Sequence, residues 1–357
     1  MPGTSATSAI SCWNVASSSW ASHAARAVHP HWVQYSIESL GAAGSGTGRS
    51  TATTVMVALR AVDIAPGRGR MESRDGMGGT MRPLVGQTIL ITGATDGLGK
   101  ALAVELAHTG ATVLIHGRDD ERGKAVVSEI ERTTGNDRLY WYNADLADLT
   151  QVAEVAERIA ADHPYLDALV NNAGIGPDVP GGPTRQESVD GHELRFAVNY
   201  LAGFSLTRRL LSPLQGAARE RGSARVVLVS SAGQAPIDVD DLMLHRHYDG
   251  WTAYCRSKLA QIMFAFDLAD ELQGRGVTAN ALHPATYMPT KIVPSPISTL
   301  AEGVESTARL VTDPALERVS GRYFDGLHEA QPNRQAFDPE VRRRLRAASC
   351  ALTGLRP

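Results

Sequence analysis

Thr88-Ile-Leu-Ile-Thr-Gly93-Ala-Thr-Asp-Gly97-Leu-Gly99 is the stretch from which the fold follows. A β-branched apolar run enters a turn with glycines at 93, 97 and 99, and the turn opens on the Ala/Leu-rich helical pattern that ends at His108. Glycine allows the sharp turn and the close approach of a ligand, and the free N–H groups at a helix start favour an anion. A glycine string alone is a weak signal; the strand before it and the helix after it supply the context that a dinucleotide diphosphate site requires. The expected contacts are Gly93, Thr95, Asp96, Gly97, Leu98 and Gly99.

Downstream of this unit the same alternation repeats. Strands are expected at Thr88–Thr92, Val113–His116, Leu139–Tyr142, Ala168–Asn171, Val226–Ser230 and Thr278–His283, with a last one at Gly321–Phe324. Between them lie helical patterns near Gly99–His108, Arg122–Thr133, Leu149–Ala161, His192–Leu214, Trp251–Gln273 and Leu300–Val311. That alternation implies an α/β fold, a single doubly wound parallel sheet of Rossmann type with helices on both faces. The catalytic domain is expected over residues 85–330. A tail over 331–357 carries a short helix capped by Asp338-Pro339, whose Arg342, Arg343, Arg344 and Arg346 read as a solvated face. Residues 1–84 are rich in Ala, Ser, Thr and Gly, and Gly41-Ala-Ala-Gly-Ser-Gly-Thr-Gly48 is of low complexity, so a disordered extension is expected there. Its Ser-rich, acid-poor composition keeps a transit peptide open, while the lack of a charged-then-apolar start argues against a secretory signal.

Composition narrows the function. The chain of 357 residues is 43% apolar, enough for a large core, and its formal charge of -3 with interspersed signs gives no general reason to bind nucleic acid or an anionic membrane. A small molecule is the expected partner. Cys12, Cys255 and Cys350 form neither a CxxC pair nor a disulfide framework, which fits a reducing compartment. No stretch approaches the roughly 18 apolar residues of a membrane span, and a cytoplasmic location is expected.

The second strand ends Ile115-His-Gly-Arg118, about 20 residues beyond the glycines, where such folds read the adenosine ribose. No acid stands at that position, and the Arg118 guanidinium suits a phosphate. NADP(H) is therefore favoured over NAD(H), although Asp119 and Asp120 follow at once.

Tyr254-Cys-Arg-Ser-Lys258 lies in a helical stretch, so the phenol and the amine emerge on one face. A free phenol titrates near about 10, and a neighbouring ammonium favours the phenolate, so the pair suits proton transfer to or from an alcohol or carbonyl oxygen. Such a pair alone is common. Upstream, Arg225-Val-Val-Leu-Val-Ser-Ser231 is a strand that delivers a hydroxyl to the carboxyl edge, where doubly wound sheets bind ligands. Asn171-Asn-Ala-Gly174 closes the fourth strand, and the Asn199 side chain is placed to hold a water beside Lys258.

The ordered set of Thr92 to Gly99, Asn143-Ala-Asp145-Leu146, Asn171 to Gly174, Asn199, Ser231, Tyr254 and Lys258 resembles the short-chain dehydrogenase/reductase family over roughly residues 85–325. The resemblance implies Tyr254 as general acid/base, Ser231 as the group that orients the substrate oxygen, and Lys258 as a ligand of the nicotinamide ribose. It also implies Asn199 beside a proton-relay water, Asp145 and Leu146 near the adenine, Asn171 as a sheet stabiliser, and Asn172, Ala173 and Gly174 against the cofactor. Two features depart from the pattern. The usual Pro-Gly reads Pro284-Ala285-Thr286, which leaves Pro284 and Thr286 as the expected contacts near the nicotinamide. The 23 positions from Ser231 to Tyr254 hold an insert similar to that of retinol-dehydrogenase-like and protochlorophyllide-reductase-like members, an expected wall of the substrate pocket.

The resemblance thus implies an oxidoreductase that interconverts a carbonyl and an alcohol. Apolar residues such as Ile237, Leu242, Met243, Tyr287, Met288 and Ile292 hint at a lipophilic substrate, and a homodimer or homotetramer is expected by analogy. His245 and His247 form an H-x-H pair with no third ligand in view, so no metal is expected. The rivals are a catalytically silent NADP-binding sensor or scaffold on the same fold, and an epimerase or dehydratase. Retention of both Tyr254 and Lys258 argues against the first, and the short tail against the second.

Overall fold

The computed structural model describes residues 84–177, 184–290 and 295–356. The expected extension, apart from Leu84, lies outside the described residues, as does Ile292.

The strands β1 (Thr88–Ile91), β2 (Thr112–Gly117), β3 (Leu139–Asn143), β4 (Ala168–Asn171), β5 (Ala224–Val229), β6 (Val277–His283), β7 (Tyr323–Asp325) and β8 (His328–Ala330) form one sheet. Its order is β3-β2-β1-β4-β5-β6-β7-β8. All neighbours pair in parallel except β7 with β8. Alternate residues of each strand enter opposite layers: Leu90, Leu114 and Leu169 face one core with α3 (Leu149–Asp162), α4 (Ala202–Arg209) and α6 (Gly250–Glu271). Ile89, Ile91, Val113 and Val170 face the other, with α1 (Gly97–His108), α2 (Asp120–Thr134) and α7 (Leu300–Thr312). Strands covered on both faces must be apolar throughout, which is why the sequence shows runs and not alternation. The order reverses between β1 and β4, and in doubly wound sheets ligands bind at such a switch point.

Three features differ from expectation. The helical run over 192–214 is broken into a π-helical turn at Phe196–Leu201, then α4, then α5 (Leu211–Arg221). Pro213 explains the second break, because proline has no N–H to donate and is tolerated only in a helix's first turn. β8 was not expected: it is a three-residue, mostly exposed edge strand returning through Gly326, whose φ is 57°. The tail also does more than trail in solvent. Asp338 caps α8 (Pro339–Thr353), as its sequence implied, but Leu345, Ser349 and Cys350 are buried and Arg342 binds Asp267 and Asp270 of α6.

Candidate active site

The glycine turn is locked to β4 by one hydroxyl. Thr92 Oγ1 accepts from the backbone N–H groups of Asn172 and Ala173, each at 3.0 Å, and Asn172 Nδ2 returns a bond of 2.8 Å to the Thr92 carbonyl. Gly93 has a φ of 65°, and a Cβ there would lie 2.9 Å from the Ala173 Cα. A Cβ on Gly99 would overlap both the Gly93 carbonyl oxygen and Asn172 Nδ2. This close approach of backbone to helix start is the cradle a diphosphate needs. Asp96 caps α1 through the Gly97 N–H (2.9 Å) and pairs with Arg122 of α2 at 2.8 Å. Leu98 is buried, anchoring the first turn of α1 in the core.

Thr95 lies against Gly117, where a Cβ would meet its methyl at 2.8 Å, so the turn touches the end of β2 just before Arg118. Arg118 itself is exposed, and Asp119 is taken up as the N-cap of α2. Asp145 accepts from the Ala147 N–H at 2.9 Å, and Leu146 is buried beside it. Beneath the turn, fully buried His116 accepts from the Gly93 N–H through Nδ1 at 3.4 Å, and burial pulls its pKa down to about 4. Across the crevice, the loop after β6 reaches back: the Thr290 methyl would lie 3.4 Å from a Cβ on Gly97. Pro284 is buried and its carbonyl takes a bond from Ser306, whereas Thr286 is exposed and pairs with His283 Nε2 at 3.0 Å.

At the chemical end, Tyr254 and Lys258 share one face of α6. The Lys258 ammonium lies 5.6 Å from the centre of the Tyr254 ring and donates to the Val229 carbonyl at 2.9 Å. It is 5% exposed, and burial lowers its pKa to about 7. Burial raises the Tyr254 pKa above its ordinary value, against the smaller lowering effect of a hydrogen bond with Ser231. The phenol is thus protonated at neutral pH, and Ser231, not Lys258, is the group that draws its pKa down. Ser231 stands one residue past Ser230, whose N–H closes the end of the β5 ladder on Leu282, and its Oγ accepts from the Gly233 N–H at 3.0 Å.

Asn199 sits in the π-helical turn, a distortion frequent at functional sites. Its side chain holds the β4 loop by both sides: Oδ1 accepts from the Ile175 N–H (2.8 Å), and Nδ2 donates to the Ile175 carbonyl (3.1 Å) and to Ser257 (2.9 Å). Both amide hydrogens are therefore used within the chain. Gly174 lies between the two groups: a Cβ there would be 3.3 Å from Asn199 Oδ1 and 3.5 Å from Lys258 Nζ. The fold thus brings Ser231, Tyr254, Lys258, Asn199 and Gly174 into one place. Asn171 instead faces the helix layer, bonding Thr207 at 2.9 Å.

Several contributors went unread in sequence. Thr92 as a two-fold acceptor and His116 beneath the turn needed only the strand pairing to be found. Buried Glu193 and Arg195 and half-buried Tyr248 form a network: Tyr248 OH donates to Glu193 (3.0 Å) and accepts from Arg195 (2.5 Å), and Arg195 donates to the carbonyls of Gly176 and Pro177. The three positive-φ non-glycine residues among those described are Leu244, His247 and Tyr287, all in loops after β5 and β6. His245 and His247 are exposed, and among the described residues no three His, Cys, Asp or Glu side chains gather as a metal site. Of the expected apolar wall, Ile237 is buried in the core and Leu242 and Met243 pack against it. Met288 packs toward Gly303, and Tyr287 stays exposed, as does Trp251, which stacks on Tyr254 at 5.9 Å between ring centres.

A doubly wound sheet with a glycine cradle at its switch point and a Ser, Tyr and Lys group over the next strand edge defines a nicotinamide-dependent oxidoreductase. The chain belongs to the short chain dehydrogenase family, whose model matches residues 87–297. Retinol dehydrogenase 13 of Mus musculus is 38% identical over 289 residues, covering 76% of this chain and 84% of that protein. Retinol dehydrogenase 14 of Homo sapiens is 34% identical over 340 residues, covering 86% and 98%. Among solved structures, an uncharacterised protein from Mycobacterium paratuberculosis aligns with a TM-score of 0.60 at 32% identity, over 77% of this chain and 96% of that one. A short chain dehydrogenase from Escherichia coli CFT073 in complex with NADPH aligns at 0.55 and 30%, over 68% and 98%. The protein is an NAD(P)-dependent oxidoreductase acting on alcohol or carbonyl groups. Among the described residues no helix is long and apolar enough to cross a membrane.

Proposed function

We propose that the chain reduces an apolar aldehyde or ketone, using NADPH in preference to NADH, with Tyr254 as the proton donor. The observation that carries this reading is the half-buried phenol of Tyr254, hydrogen-bonded to Ser231 and set on one helix face with Lys258, whose ammonium lies 5.6 Å from its ring centre. A carbonyl that gains hydride becomes an alkoxide and needs a proton, and a neutral phenol within hydrogen-bond reach supplies it. Ser231 orients the oxygen with a second donor, and preorganised donors of this kind act where charge develops. Lys258, poised near neutrality by burial, gains its charge in the presence of an anion and holds the nicotinamide ribose. Asn199 positions the β4 loop around both.

The glycine cradle fits a dinucleotide diphosphate, and when bound the nicotinamide ring supplies the hydride. Gly93, Thr95, Asp96, Gly97, Leu98 and Gly99 hold the diphosphate end; Asp145, Leu146, Asn172, Ala173 and Gly174 line the side toward β3 and β4. Pro284 and Thr286 flank the nicotinamide end. Exposed Arg118 at the close of β2 supports the preference for the 2′-phosphate.

The retinol dehydrogenase relatives support an apolar substrate, as do exposed Trp251 and Tyr287. If the chain forms a homodimer or homotetramer, its contact must accommodate α8, which Arg342 ties to α6. The test is absorbance of NADPH across a panel of aldehydes and ketones, retinal included. Oxidation of NADPH with apolar members supports the reading; tight NADPH binding with no turnover on any member favours the silent sensor instead.

A further inference from the structure

The residues after 297 lie beyond the family match, yet they reach the catalytic serine. The Ser231 carbonyl accepts two side-chain bonds, from Gln234 Nε2 at 3.0 Å and from the Tyr323 hydroxyl at 3.1 Å. The opposite end of the same amide, Gln234 Oε1, accepts from the backbone N–H of Asn333 at 2.7 Å. Two residues on, Gln335 grips the insert: its Oε1 accepts from the Ile237 N–H at 2.6 Å and its Nε2 donates to the Ile237 carbonyl at 2.9 Å. The Gln335 N–H is itself held by Asn333 Oδ1 at 3.0 Å.

This segment is rooted behind the site. Tyr200, one residue from Asn199, bonds Ser349 of α8 at 2.8 Å, Phe337 packs on Phe266 of α6 at 5.5 Å, and Arg342 ties α8 to Asp267 and Asp270. The last ladder bond of β5 is from the Ser230 N–H to Leu282, and Ser231 stands just beyond it. A buried carbonyl must find donors, and the donors it finds fix the peptide that carries the serine hydroxyl.

We propose that the segment 331–337 is a positioning strap of the active site, with Gln234 coupling it to Ser231 and Gln335 fixing the insert wall. Gln234 and Gln335 act through Ser231 and Ile237 and are positioning residues. The proposal rests on the reading of Ser231 and Tyr254 as the proton-donating pair, and it extends the site to chain that the family pattern does not cover.

The test compares Gln234→Leu and Gln335→Leu with the parent protein. Gln234→Leu lowers kcat roughly tenfold on any carbonyl that the panel yields, while NADPH affinity stays within about twofold. Its alkaline limb moves to higher pH, because a loosened Ser231 no longer draws the phenol's pKa down. A variant that was merely less stable would lower the active fraction and leave that limb in place. Gln335→Leu raises KM with little change in kcat and quickens hydrogen exchange at the Ile237 amide. Unchanged kcat, KM and pH limb in both variants overturns the strap. If the parent turns over no carbonyl, the functional reading fails separately, and exchange decides alone: faster exchange at Ile237 in Gln335→Leu upholds the strap, and parent-like exchange rejects it.

Discussion

The two ends of the crevice are built by different means. The cofactor end is made of backbone: Gly93 and Gly99 are packed so closely that a Cβ on Gly93 would collide with Ala173, and one on Gly99 with Asn172 and the Gly93 carbonyl. The chemical end is made of side-chain bonds that span the chain, from Gln234 to Asn333, from Arg195 to Tyr248 and from Asn199 to Ser257. Close backbone packing tolerates no added atom, whereas a network of amides and hydroxyls degrades by steps. Substitutions should therefore separate the two ends sharply.

The largest effect is expected at the cofactor end. Gly99→Val must displace the Gly93 carbonyl or Asn172, so measurable NADPH binding should vanish in titration; binding within severalfold of the parent would show that the cradle is plastic. At the chemical end, Arg195→Met leaves Glu193 buried without its cation, and removal of one partner from a buried pair costs about 3–5 kcal/mol. Denaturant unfolding should show that loss while NADPH still binds the folded fraction. Equal loss of cofactor binding would join the two ends into one unit.

His116 gives a pH signature to the cofactor end. Its folded pKa of about 4 lies below the usual 6.5, so the folded state binds fewer protons between those values. Stability should fall as pH drops through that window, by roughly 3 kcal/mol at most, and level off below it. His116→Asn, which keeps an acceptor for Gly93, should flatten the curve; an unchanged slope would place the acid sensitivity elsewhere. The smallest effect is expected at Arg118, which is exposed: Arg118→Ala should weaken NADPH about tenfold, near 1.4 kcal/mol, and leave NADH unaltered. Equal weakening of both cofactors would remove Arg118 from the choice between them.

The same contrast explains what could be read beforehand. The cradle was legible because strand, glycines and helix follow one another within 12 residues, from Thr88 to Gly99. The six inner strands were legible as apolar runs, and Ser231, Tyr254 and Lys258 through their spacing. The break at Leu210 was missed because helical periodicity outweighed Pro213, and β8 because a three-residue exposed edge carries no pattern. The support of Ser231 by Tyr323, 92 positions away, has no local signal at all. Lys258 was expected to draw the phenol's pKa down; here desolvation raises that pKa and the lowering contribution comes from Ser231.

A single comparison bears on the role given to Tyr254: NADPH binding and NADPH oxidation measured side by side for the parent and Tyr254→Phe. Removing one hydroxyl should leave binding intact and cut turnover by about 10³-fold, within the range of a lost general acid. A phenylalanine variant that keeps turnover within tenfold of the parent would contradict the account, because the proton would then come from some other group.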